Sequence, residues 1–111
     1  MKYVCLVYLE ENKLRTVPDS ECKAYGEGLR SQGRWLAAEA LQSAQTATTV
    51  RVRNDKVSVT DGPFAETKEQ LAGFYLIDAR DLNDAIQVAS RIPSAKSGSI
   101  EVRPVVERTP A

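Results

Sequence analysis

Histidine is absent from this chain. Without imidazole there is no histidine general base, no Ser-His-Asp or Cys-His nucleophile system, and almost none of the mixed-ligand zinc sites. The two cysteines, Cys5 and Cys22, form no CxxC pair, and with no secretion signal they are expected to be reduced thiols. GxGxxG, GxxxxGKS/T and HExxH patterns are missing too, so neither a nucleotide cradle nor a metalloprotease helix has support. No metal and no cofactor is expected.

An excess of charge of either sign is also lacking. Lys+Arg and Asp+Glu both number 15, the formal net charge is zero, and no basic cluster stands out. Nucleic acid is therefore not an expected partner, because phosphate contacts need a basic excess or a basic face. Arg51 and Arg53 alternate with valines in TVRVR, which reads as solvated charges on one face of a strand. No apolar run reaches the length of a membrane-spanning helix. The opening MKYVCLVYLEEN reads as a strand and not as a signal, so a cytoplasmic protein with no membrane partner is expected.

What is present is ordinary in amount and informative in pattern. The 111 residues suit one domain, 1–111, with one core. Residues 3–9 are continuously apolar, the mark of a strand buried on both faces. From Pro18 to about Gly33, Cys22, Tyr25 and Leu29 recur at helical spacing, with Gly26 and Gly28 either tolerated or allowing close backbone approach. Residues 35–46 carry helix formers, but their place before a hairpin favours strand and loop. Residues 48–53 and 56–60 alternate valine with polar residues around Asn54-Asp55, a hairpin signature. Residues 71–79 form a second strand apolar on both faces.

Asp81 caps a following helix whose expected apolar stripe is Leu82, Ala85, Ile86, Ala89 and Ile92. A last strand, SIEVRPVV, carries Pro104 and so belongs at a sheet edge or ends there. This order of elements fits an α+β, ferredoxin-like antiparallel sheet with both helices on one face. The two strands apolar on both sides then leave an open face that needs a partner. A homodimer through the sheet face is expected.

Chemistry is sparse. In Asp61-Gly62-Pro63-Phe64, Asp61 ends a strand, Gly62 permits an unusual backbone angle and Pro63 fixes the next dihedral, with Phe64 expected to plug the turn onto the sheet. A carboxylate held there near apolar surface is a candidate acid or base, and equally one that only satisfies its own turn's amides. Glu39, in AAEAL, is a second candidate pocket acid, and an exposed position is as good a reading for it. Glu66, Lys68 and Glu69 read as solvated charges, and Tyr8 and Trp35 as core aromatics.

The stretches MKYVCLVY, EALQSAQTATTVRVRNDKVSVTDGPFAETKEQLAGFYLIDARDLNDAI and RIPSAKSGSIEVRPV together resemble the YCII-related proteins of the DGPF subgroup. The likeness runs over nearly the whole chain and is weakest around the first helix. It implies a bacterial protein with the dimeric α+β barrel fold, which hosts isomerases, monooxygenases and plain binding proteins alike. Some YCII-like relatives hold a His-Asp pair in their pocket. Here only Asp61 has a counterpart, with Gly62, Pro63 and Phe64 as its scaffold. The expected function is binding of a small metabolite between sheet and helices of each protomer, with Asp61 and Glu39 as candidate polar anchors, or its slow transformation through proton transfer by a carboxylate. The rival is a non-catalytic regulatory module acting with an extracytoplasmic-function sigma factor, which the resemblance suggests by association.

Overall fold

The computed structural model describes residues 1–108. The chain runs β1 (Lys2–Leu9), α1 (Asp19–Ser31), β2 (Trp35–Ala40), β3 (Thr48–Arg53), β4 (Lys56–Asp61), β5 (Gln70–Asp78), α2 (Leu82–Ser90) and β6 (Ser99–Pro104). Short 3-10 turns at Glu11–Lys13, Ala44–Thr46 and Pro93–Lys96 join them. The fold is α+β: β2, β5, β1 and β6 form a four-stranded antiparallel sheet in that order, and among the described residues β3 pairs only with β4.

The two strands read as apolar on both sides are the central ones. Along β1, Tyr3, Cys5, Val7 and Leu9 are buried while Val4, Leu6 and Tyr8 are half-buried. The buried set joins Ile77 of β5, Leu29 of α1 and Ala85, Val88 and Ala89 of α2 in one core, so both helices serve the same face. Register puts Val4 opposite Leu76 and Leu6 opposite Phe74 on the other face, since side chains of paired antiparallel residues share a side. Pro104 closes β6 at the sheet edge, where its missing N–H costs no ladder bond.

Local chemistry explains the boundaries. Pro18, with φ −59°, precedes the first turn of α1, and Gly33 stands just beyond its end. Gly26 has a specific reason: a Cβ there would lie 3.0 Å from the indole of Trp35, so the missing side chain lets β2 and α1 close on each other. Asn54 and Asp55 both adopt positive φ, 50° and 62°, as the two-residue turn of the β3–β4 hairpin requires. Asp81 caps α2 by accepting a 2.8 Å hydrogen bond from the Asp84 amide, and Asp84 accepts one of 3.0 Å from the Arg80 amide.

The buried face of α2 differs from the expected stripe. Leu82 and Ile86 are 50% and 49% exposed, and the core side is Ala85, Val88 and Ala89, continued by Ile92. Two polar ties fix this rotation of the helix. The Tyr25 hydroxyl donates to the Val88 carbonyl at 2.6 Å, and the Arg34 guanidinium donates to Asp84 at 2.8 Å. Periodicity alone cannot separate two adjacent apolar stripes; the polar partners decide between them. Among the described residues no helix is long and apolar enough to cross a membrane.

Candidate functional site

Between α1 and the β2–β5–β1 part of the sheet lies a cleft of about 690 Å³. Its volume follows from small residues. Ala38 and Ala40 of β2 share a face two residues apart, Gly73 of β5 lies opposite Ala40, and Gly26 faces them from the helix. Where larger side chains would fill the layer between helix and sheet, these leave space. Val7 and Leu9 add an apolar floor, while Lys13, Arg15, Asp19, Lys23 and Glu27 give the opening an ionic rim of both signs. Arg15 sits there with φ 64°, a left-handed conformation uncommon for a residue with a long side chain.

One wall is aromatic. Tyr75 meets Trp35 edge-on at 6.4 Å between centroids and meets Tyr25 likewise at 5.7 Å, while the Arg30 guanidinium lies 4.4 Å over the Trp35 ring. Opposite the helix, the 41–43 segment is pinned by Glu11, whose carboxylate accepts from the Ala44 amide at 2.7 Å and from the Ser43 hydroxyl at 3.1 Å. The cleft is thus built on ordered elements.

Two groups of the cleft, Cys22 and Tyr75, are held neutral. Burial, reinforced by Asp19 and Glu21, raises the Cys22 thiol above its ordinary value, so it is a weak nucleophile at neutral pH. Burial raises Tyr75 as well, with Cys22 adding to it, and its hydroxyl remains protonated. In the core beneath, burial pushes the Cys5 thiol up to about 11. Among the described residues no three Cys, Asp or Glu side chains converge on a metal-sized site. The arrangement can enclose an apolar body and offer it neutral donors and rim charges.

Of the residues singled out in sequence, Glu39 lies at the cleft and Asp61, Gly62, Pro63 and Phe64 lie outside its lining. Glu39 borders the cleft, yet it pairs with Phe74 and so directs its side chain to the sheet face away from the helices, where it is exposed. Asp61 is exposed at the end of β4, opposite Thr48, outside the cleft lining. Gly62, at φ 101°, takes the turn that Asp61-Gly62-Pro63 foreshadows, and is held by its amide to Ala47 O at 2.8 Å and by Thr49 Oγ1 to its carbonyl at 2.9 Å. Phe64 does not plug onto the sheet: it is 75% exposed, with Arg51 5.2 Å over its ring. Arg51, read as a solvated charge, therefore partners an aromatic.

Sequence reasoning missed the residues that line the cleft because their signal is the absence of bulk. Ala38 and Ala40 alternate in WLAAEA, and small residues at every second strand position announce a hollow only once the strand is known.

Residues 1–109 match the family model described as the YCII-related domain. A protein of Rhizobium meliloti (strain 1021), named only as uncharacterized, is 51% identical over 61 residues, which cover 53% of this chain. The match spans about half, 49%, of that relative's length. With a family match across almost all of its residues, the chain belongs to the YCII-related domain family.

Proposed function

We propose that this chain binds a small metabolite in the cleft under α1, as a ferredoxin-like protomer of a homodimeric α+β barrel. The observation that carries the reading is the cleft itself. At about 690 Å³, with an apolar floor, an aromatic wall and an ionic rim, it has the size and lining of a small-molecule site. The strand order β2-β5-β1-β6, with a helix after β1 and another after β5, supports the ferredoxin-like description, the hairpin being an insertion between two sheet strands. The half-buried Val4, Leu6, Phe74 and Leu76 support a second protomer on the open face.

Binding without turnover is the favoured form. The Cys22 thiol and Tyr75 hydroxyl are both held protonated, and the carboxylates of Glu39 and Asp61 do not face the cleft interior. A thermal-shift screen against a metabolite library tests the proposal, using wild type, Ala40→Phe to fill the cleft from an exposed edge position, and Asp61→Asn. A ligand at 100 times its dissociation constant adds about 2.7 kcal/mol, several degrees in Tm at this size. Hits lost in Ala40→Phe and kept in Asp61→Asn are expected. Hits kept in Ala40→Phe, or lost only in Asp61→Asn, would remove the cleft as the site.

A further inference from the structure

β3 and β4 stand apart from the rest of the fold. They pair with each other along their whole length and barely touch the other elements. Register places Val50 opposite Val59 and Val52 opposite Val57, so four valines share one face while Arg51 and Ser58 occupy the other. Those valines are 57–67% exposed. An isolated two-stranded hairpin is at best marginally stable in water, and a face of β-branched side chains with nothing against it is a surface built for contact.

The dimensions of the molecule indicate what that contact is. Its accessible surface is 8046 Å², whereas a compact monomer of 12.2 kDa exposes about 6100 Å². Its radius of gyration is 15.8 Å against about 13 Å for a compact chain of this length. Part of the excess belongs to the segment after β6, where Val106 is exposed. Even so, the surplus of roughly 2000 Å² exceeds the ~800 Å² that each partner buries in a standard stable interface.

We propose that the β3–β4 hairpin is a dimerisation arm whose valine face lies on a second copy of this chain. A second copy fits because the same chain carries the matching surface, the open sheet face of Val4, Leu6, Phe74 and Leu76. Two-fold symmetry then covers both apolar surfaces of both copies at once, the sheet faces meeting and each arm's valines extending that contact onto the other protomer. The inference rests on the dimeric reading above and adds the arm, which a sheet-to-sheet dimer does not need.

The test is the double variant Val52→Glu/Val57→Lys. These residues are cross-strand partners, so the new charges pair and hold the hairpin while making its face polar. Sedimentation of wild type is expected to give a dimer, and the variant is expected to raise its dissociation constant roughly a hundredfold or more, as loss of two buried valines should. An unchanged constant overturns the arm and leaves the sheet-face dimer standing; a monomeric wild type at micromolar concentration overturns both. Hydrogen exchange on wild type gives an independent readout that does not depend on the variant folding. Amides of residues 48–61 are expected to slow above the dissociation constant, and identical exchange above and below it, or protection only with a protein of different sequence, overturns the arm.

Discussion

A Cβ placed on Gly98 would collide with the carbonyl oxygen of Tyr8 and come within 2.7 Å of a Leu9 methyl. The obstacle is backbone of the central strand, which cannot rotate away as a side chain can. Gly98→Ala is therefore expected to destabilise by about 3 kcal/mol, measured by urea denaturation, whereas Gly28→Ala, with open space around it, should not. Asp84 is the other residue with little freedom, a carboxylate 6% exposed between Arg34 and the start of α2. The Arg80 amide first, then the Arg80 and Arg34 guanidinium groups, hold its carboxyl below the ordinary 3.8, against the opposing effect of burial. A depressed folded-state value stabilises above the unfolded value and is lost as pH falls through the folded one. Asp84→Asn should accordingly melt several degrees below wild type at pH 7. The gap should narrow at pH values well below 3.8, as read by circular dichroism; a constant gap would mean Asp84 acts by shape alone.

At the scale of elements, the hairpin turn offers the clearest lever. Asp55 holds φ 62° in a position where glycine has no Cβ to accommodate. Asp55→Gly should be neutral or raise stability by a few tenths of a kcal/mol, while Asp55→Val should lower it by about 1 kcal/mol, in the same denaturation assay. This turn was legible in the sequence because Asn-Asp between alternating valines has one good backbone solution. The central strands were legible because their apolar runs are uninterrupted. What stayed hidden depended on partners distant in sequence. The rotation of α2 is set by Tyr25 and Arg34, which meet it across fifty residues or more, and Phe64 has Arg51 over its ring, which sequence alone shows as one more surface arginine. Residues 35–40 carry helix formers, yet their place before a hairpin already favours the strand that β5 pairs with.

For the whole molecule, one candidate site was visible in sequence and another was not. Asp61 and Gly62 form the sharp turn their order suggests, but the cleft is a property of three elements packed with small residues where large ones would fit. A list of reactive side chains does not find such a place, because its walls are made of alanine and glycine. If the arm and the cleft both serve the assembled dimer, ligand affinity measured above and below the dimer dissociation constant separates them. The lining residues named above all belong to one chain, and affinity is expected to be unchanged by dilution. A large drop would place a partner residue in the site.

The sheet order has a consequence for synthesis. β1 is central and pairs on one side with β5, Lys2 opposite Asp78, and on the other with β6, Tyr3 opposite Pro104. Of this sheet's strands, the first to leave the ribosome is thus the one whose neighbours leave last. Helix α1 can form early, but the core it covers cannot close until β5, α2 and β6 have emerged. Throughout translation the run from Tyr3 to Leu9 waits as an apolar strand without partners, and chaperone contact during synthesis should concentrate there.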